Sequence, residues 1–163
     1  MFAFIPRSYE FETTLTPKKA ARKINHDLIE QRPSFNVMSN GRFMRNHRFE
    51  SCYYGCRTSQ FEFQIFHHTA KKHDGGTVGF YGTIEQSGDG SIIKGKFRKP
   101  IYTYVVAALW ILFSLFCALC VLAVGEKIGA AAILAVALAG LAIMFWDSSE
   151  KMVKAYLDTF PRP

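Results

Sequence analysis

The chain has 163 residues, a formal net charge of +7 and 49% hydrophobic residues, and these averages combine two unlike halves. Residues 1–99 contain 16 Lys and Arg against 9 Asp and Glu, whereas residues 100–163 contain four of each, so the positive excess belongs to the first part. About 100 residues bury a single, marginally stable core, which excludes a multidomain soluble part.

Alternating apolar and polar residues near the N-terminus predict a half-buried strand over residues 9–15. Thr16 and Pro17 are typical of the N-cap and the first position of a helix. Apolar residues then recur at helical spacing as far as Leu28, and Pro33 ends the helix. The first part of the chain therefore begins with a strand followed by one amphipathic helix.

Period-two patterns after residue 33 predict strands, with turns at residues 40–41, 74–76 and 88–90. We expect the α+β class, an antiparallel β-meander with one covering helix. Lys94, Lys96 and Arg98 alternate along the last strand and Lys99 follows them. This basic stripe is predicted to face anionic membrane lipid and to orient the domain, with about 1 kcal/mol from each charge.

Two uncharged apolar runs occupy residues 101–124 and 128–146, with only Gly125, Glu126 and Lys127 between them. Each run is long enough to cross a hydrocarbon core of about 30 Å as a helix. Lys and Arg flank the outer ends of both runs, so the positive-inside rule predicts cytoplasmic termini and a multi-pass protein of the inner membrane. The predicted domains are residues 1–99, a hairpin of residues 100–146, and a short amphipathic helix within residues 147–163.

Small residues recur along both apolar runs. Small residues let helix backbones approach closely, so this pattern predicts packing within the hairpin, and the same surface suits a second copy of the chain. The predicted packing residues are Ala107, Ser114, Ala118, Ala131, Ala135 and Ala139.

The C-terminal segment begins with a pattern typical of a capping box, Asp147 followed three residues later by Glu150. The apolar residues after it share one helical face. We expect this helix either at the membrane interface or packed on the sheet.

The cysteines and histidines of the first part are the residues with soft-ligand character. On a strand, Cys52 and Cys56 lie on the same face but about 13 Å apart, too far to share one metal unless the chain turns at Gly55. A reduced, structural and metal-free role is expected for both, without a bound cofactor. The ligands of the competing metal hypothesis are Cys52, Cys56, His67, His68 and His73.

Residues 42–49 interleave basic and aromatic side chains, a combination that contacts phosphates and stacks on bases. The basic residues of this segment fall on both faces of a strand, so a solvated loop or an edge strand is expected and nucleic acid is not the expected partner. The glycine-rich segments flank strands and lack the helix N-terminus of a phosphate-binding loop. The sequence predicts a protein that is not an enzyme.

Three segments, FEFQI (61–65), GFYGTI (79–84) and GDGSIIKGKFR (88–98), lead into the two apolar runs. In this order they resemble a group of small bacterial two-helix membrane proteins with a cytoplasmic β-rich domain. The resemblance implies this architecture and a bacterial origin. It implies no catalytic residue.

The sequence therefore predicts a membrane-anchored cytoplasmic protein with a binding, regulatory or accessory-subunit role. Its expected partners are anionic membrane lipids and a protein, either a different one or a second copy of the chain. A membrane-active effector that oligomerises through its hairpin is the first alternative. A metal-binding or enzymatic domain that uses the Cys and His residues is the second.

Overall fold

The computed structural model describes residues 5–31, 37–70, 77–147 and 149–163. Within these residues the chain forms six strands and five helices of the α+β class. In chain order they are β1 (Arg7–Thr13), α1 (Pro17–Asp27), β2 (Ile29–Glu30), α2 (Val37–Asn46), β3 (Cys52–Arg57), β4 (Glu62–His68), β5 (Gly79–Ser87), β6 (Gly90–Arg98), α3 (Ile101–Ala123), α4 (Lys127–Phe145) and α5 (Ser149–Leu157).

The strands form one mixed sheet in the order β1-β6-β5-β4-β3-β2. Strands β3 to β6 are the predicted antiparallel meander, and β5 and β6 are joined by the predicted turn, in which Gly88 has a φ of 55°. Two features extend this prediction. Strand β1 pairs with β6 at one edge, and the two-residue β2 runs parallel to β3 at the other.

One face of the sheet is covered by α1 and α5 together, rather than by the single helix predicted. Both helices contribute side chains to one buried core with the sheet, among them Ile24 from α1 and Val153 and Leu157 from α5, each at most 1% exposed. Of the two positions expected for this helix, at the membrane interface or packed on the sheet, α5 therefore has the second. Helix α5 has nine residues, and an isolated helix of this length is not stable in water. Burial of its apolar face against the sheet stabilises it.

Aromatic rings fill the centre of this core, and two glycines make the space for them. A Cβ atom on Gly82 would lie 2.5 Å from the Phe80 ring and 2.7 Å from the Phe63 ring, and a Cβ atom on Gly95 would lie 2.5 Å from Phe80. The rings of Phe80 and Phe97 are 5.0 Å apart. The absence of Cβ atoms thus lets large rings lie flat against the sheet.

Helix α2 covers part of the opposite face, where a loop or edge strand was expected. Phe43 is buried and its ring lies 4.9 Å from Tyr54, which stacks on Phe66. The turn expected at residues 40–41 lies inside this helix. Burial of Phe43 against the sheet outweighs the local preference of Asn40 and Gly41 for a turn. The turn predicted at residues 74–76 lies outside the described residues.

Helices α3 and α4 form a hairpin connected at Gly125, which has a φ of 86°. Both are long and apolar enough to cross a membrane, at about 34 Å and 28 Å. Only 17% of each apolar segment is buried, unlike the core helix of a soluble protein. Large apolar side chains are therefore exposed along both helices.

The seam between α3 and α4 uses small residues, but only those predicted on α3 lie in it. Thr103, Ala107, Ser114 and Ala118 are the buried residues of α3. On α4 the buried positions include Ala130 and Ala137, whereas the three predicted residues are exposed. The three residues predicted on α4 are four positions apart, and residues at this spacing move gradually around the helix. The positions that contact a partner helix recur about every 3.5 residues instead. The exposed residues are Ala131, Ala135 and Ala139.

Candidate functional site

A buried pair of opposite charges lies where the sheet meets the hairpin. Lys99 follows β6 directly and precedes α3, and Asp147 follows α4 and precedes α5. Each residue is 2% exposed. The Lys99 Nζ atom is 3.6 Å from Asp147 Oδ2. The two ends of the hairpin thus meet at one point.

Each member of the pair also binds backbone groups. Lys99 Nζ donates to the carbonyl oxygen of Met144 in the last turn of α4, at 2.7 Å. Asp147 Oδ2 accepts from the Val78 amide just before β5 at 2.7 Å, and Oδ1 accepts from the Ser149 amide at the start of α5 at 2.8 Å. The pair, which we call the junction, therefore connects α4, α5 and the sheet.

The junction corrects the prediction for Lys99, which is buried and does not face lipid. A buried ammonium group is costly without a partner, and Asp147 together with a helix C-terminal carbonyl compensates this cost. One signal was available in the sequence: an acid follows the second apolar run directly and a base precedes the first. Because the ends of a hairpin are neighbours in space, this arrangement favours a charge pair.

The predicted capping pattern is met in part. Asp147 caps the start of α5 through its bond to the Ser149 amide. Glu150 instead lies 3.8 Å from Arg7 of β1. The start of α5 is thus capped by Asp147 and lies beside β1 at one edge of the sheet.

The other three members of the basic stripe share the face of the sheet opposite the α1 and α5 core. They differ in their charge balance. Lys94 Nζ lies 3.0 Å from Glu85 and 3.8 Å from Glu10, and these carboxylates raise its pKa. Lys96 and Arg98 have no carboxylate partner among the described residues. The unbalanced charge is therefore at the end of β6 nearer the hairpin.

Arg98 and Tyr81 form a fixed cation–aromatic contact at this end. The Arg98 guanidinium carbon is 4.0 Å from the centroid of the Tyr81 ring. Burial raises the pKa of the Tyr81 hydroxyl well above its usual range, with Arg98 opposing the shift. Tyr102 and Tyr104, in the first turn of α3, raise this pKa further.

An open groove of about 660 Å³ runs across this part of the sheet. Lys96 lies at its centre because it is the register partner of Ser8 on β1 and of Tyr81 on β5. The groove, which we call the basic groove, has three cations in its lining, Lys94, Lys96 and Arg98, and one carboxylate, Glu10, which lies beside Lys94. Its other polar side chains include Ser8, Tyr81 and Thr83. Its cations and hydroxyl groups suit an anionic ligand.

The cysteine and histidine residues are distributed over two faces. Cys52 and Cys56 both lie on β3, half-buried and outside any disulfide, and Cys52 is opposite His68. Burial raises the pKa of the Cys52 thiol, with Glu50 adding to the shift, so the neutral thiol is favoured. No group of three or more potential metal ligands is found among the described residues, and His73 lies outside them.

The two neighbouring histidines of β4 have different surroundings. His68 lies on the α2 side, where its Nε2 is 3.0 Å from the His47 carbonyl oxygen. His67 lies on the core side with its ring 4.9 Å from Tyr53. The buried Nδ1 atom of His67 has no hydrogen-bond partner in the part of the chain that the structure describes. Burial lowers the pKa of His67, and His68 adds a smaller effect.

The basic and aromatic segment 42–49 is mostly helical. Phe43 points into the core, while Arg42 and Arg45 are exposed. The Arg48 guanidinium carbon lies 5.5 Å from the exposed Phe49 ring. The segment thus divides between core packing and solvent.

Comparison with known protein families, curated proteins and solved structures finds no match to this chain.

Proposed function

We propose that the chain is a membrane-anchored binding or regulatory protein, such as an accessory subunit, that has no catalytic activity. Its hairpin crosses a bacterial inner membrane twice, and its α+β domain is held on the cytoplasmic leaflet. The junction carries this proposal, because Lys99 and Asp147 bind both ends of the hairpin to the sheet at distances of 2.7 to 3.6 Å. A domain attached at two points cannot rotate freely above the bilayer.

Charge distribution supports the cytoplasmic side. Basic residues flank both outer ends of the hairpin, whereas the turn between the helices contains a single Lys127 beside Glu126. The positive-inside rule then places both termini in the cytoplasm and the turn outside.

The topology is tested with reporter fusions in the full chain. Fusions at the N-terminus and after Pro163 are expected to behave as cytoplasmic, and a reporter inserted at Glu126 is expected to behave as periplasmic. The Glu126 insertion is the matched control, since it shows that the reporter detects both sides. A periplasmic signal from either terminus would contradict the proposal.

The first partner that we propose is the anionic leaflet itself. Lys96 and Arg98 are the unbalanced charges of the stripe, so about 2 kcal/mol of attraction is expected from them near the surface. Lys94 contributes less because Glu85 and Glu10 already balance it. This attraction keeps the open face of the sheet turned towards the lipid headgroups. A protein partner would bind the domain beside the headgroups.

A membrane-active effector is a second candidate, favoured by the outward position of Ala131, Ala135 and Ala139 on α4. Small residues on a lipid-facing surface permit close approach of another helix. Overexpression would then dissipate the membrane potential, and Ala135→Leu would abolish this effect. Growth at normal potential during overexpression would exclude this candidate.

A further inference from the structure

The basic groove has a charge gradient along β6. At the end near the β5–β6 turn, Lys94 is balanced by Glu85 and Glu10. At the end near the hairpin, Lys96 is exposed and Arg98 lies over Tyr81, and no described carboxylate pairs with either. An anion is therefore attracted to the hairpin end of the groove and repelled from the other end.

Groups at the hairpin end match the chemistry of a phosphate. The Tyr81 ring holds the Arg98 guanidinium in place, which leaves its planar N–H groups preorganised for an oxyanion. Lys96 lies between Ser8 and Tyr81 in the register, so its ammonium group has a hydroxyl-bearing neighbour on the next strand. An ammonium group, a guanidinium group and a hydroxyl group are all hydrogen-bond donors. Their bonds to the ionised oxygens of a phosphate are charge-assisted and therefore strong.

The position of the groove selects the source of this phosphate. Arg98 precedes Pro100 by two residues and Lys96 by four, so along the strand they lie about 7 Å and 13 Å from Pro100, the residue before α3. The headgroup layer of one leaflet is about 5–8 Å thick. Measured along the strand from Pro100, Arg98 falls within this distance and Lys96 lies one further residue pair away, on the same face of β6. Tyr102, Tyr104 and the exposed Trp146 lie at the same end of the hairpin, as aromatic residues do at a membrane interface.

We propose that the basic groove is a binding site for the headgroup of one anionic phospholipid, with its phosphate held by Lys96 and Arg98. This inference depends on the proposed anchoring of the chain in a membrane. The site differs from a diffuse electrostatic attraction because it is saturable, with one lipid per chain.

The experiment uses the full chain in detergent and counts bound lipid by native mass spectrometry during titration with phosphatidylglycerol or phosphatidylcholine. One phosphatidylglycerol per chain is expected, with saturation and a clear preference over phosphatidylcholine. The Lys96→Gln/Arg98→Gln variant is expected to weaken this binding by at least about tenfold, as the loss of charge-assisted hydrogen bonds requires.

The matched control is Lys18→Gln/Lys19→Gln, which removes the same charge from the exposed side of α1, on the opposite face of the sheet. It is expected to bind phosphatidylglycerol like the parent chain. If the double variant has a lower melting temperature than the parent chain, Lys96→Gln alone takes its place, because this variant changes a single exposed side chain. A loss of severalfold is expected from this single change.

Three results would overturn the inference. The first is equal retention of phosphatidylglycerol by the parent and by both Lys96 variants, and the second is equal affinity for the two lipids. The third is binding of glycerol 3-phosphate as tight as that of the lipid, which would assign the groove to a soluble phosphate ester. If the reporter fusions place both termini in the cytoplasm but the chain retains no lipid, the lipid site is refuted and the topology stands. If the fusions place the termini in the periplasm but the chain retains lipid, the topology is refuted and the lipid site stands.

Discussion

Lys99 and Asp147 are charged side chains that the fold removes almost completely from water. Each ion loses several kcal/mol of hydration in such a place, and the attraction between them offsets this loss only together with further hydrogen bonds. The Met144 carbonyl and the Val78 and Ser149 amides supply those bonds. Removal of one charge alone is therefore expected to cost more than removal of both.

Replacement of Lys99 tests this dependence. Lys99→Met is expected to lower the free energy of unfolding by about 3–5 kcal/mol, because Asp147 is left buried without its counter-ion. Lys99→Met/Asp147→Asn is expected to recover part of this loss, since both charges are gone and the amide oxygen still accepts from Val78. Chemical denaturation in mixed micelles measures both values, with Lys96→Gln as the control. A single variant as stable as the parent would contradict the role of the junction.

His67 predicts a dependence of stability on pH. Burial holds the pKa of His67 below the ordinary value of 6.5, so in the window just below pH 6.5 the unfolded chain binds a proton that the folded chain does not. Stability contributed by neutral His67 is thus present above pH 6.5 and falls as the pH decreases through this window. His67→Phe is expected to reduce the loss of thermal stability between pH 7.5 and pH 5.5. His26→Gln, at an exposed histidine of α1, is the control, and an unchanged pH slope in His67→Phe would contradict the prediction.

At the scale of elements, one tryptophan forms a hydrogen bond across the hairpin seam. Trp110 Nε1 on α3 donates to the Ala137 carbonyl oxygen of α4 at 3.2 Å. The indole fits because Gly140 has no side chain, and a Cβ atom there would lie 3.0 Å from Nε1. The two helices thus approach closely on one side of α4, while Ala139 next to Gly140 is exposed.

Enlarging Gly140 is expected to disturb this contact. Gly140→Leu should destabilise the hairpin by about 1–3 kcal/mol, the usual range for overpacking. Ala139→Leu adds a larger side chain at the exposed neighbouring position and is expected to be tolerated. Unfolding followed by Trp fluorescence distinguishes the two variants. Equal effects of both substitutions would show that the seam lies elsewhere on α4.

At the scale of the whole molecule, the sheet domain is completed from both ends of the chain. Val153, Tyr156, Leu157 and Phe160 are buried in the same core as β1, α1 and the central strands. Burial of a large apolar side chain contributes about 1.5–3 kcal/mol before the entropic cost of ordering the chain is subtracted, so loss of all four is expected to destabilise the domain strongly. The hairpin thus separates two segments of the chain that contribute to the same buried core.

This arrangement predicts which fragments fold. Residues 1–99 alone are expected to remain unfolded or to aggregate. Residues 1–99 joined to residues 147–163 by a short Gly/Ser linker are expected to fold as a water-soluble domain. The side chains of Lys99 and Asp147 are in contact, with Nζ 3.6 Å from Oδ2, so the two residues are close enough for a short linker. Circular dichroism and size-exclusion chromatography of the two proteins provide the measurement. A folded fragment 1–99 would show that α5 is dispensable.

Local patterns in the sequence were sufficient for the hairpin, the start of helix α1, the meander β3 to β6 and the shared face of Lys94, Lys96 and Arg98. These features depend on the period of apolar residues along a continuous segment, which the chain determines by itself. The small residues predicted on α3 also follow this period, and they are among the buried residues of that helix. The end of α1 was predicted at Pro33, but the helix ends at Asp27 and is followed by β2.

Tertiary structure decided the rest. The helical state of residues 37–46 follows from burial of Phe43 against strands that are later in the chain. The burial of Lys99 depends on Asp147, 48 positions away, and the place of α5 depends on a core that begins at Phe11. Which lysines of the stripe remain unbalanced depends on carboxylates from two other strands. Each of these outcomes is set by contacts between distant segments, and such contacts form only when the whole chain has folded.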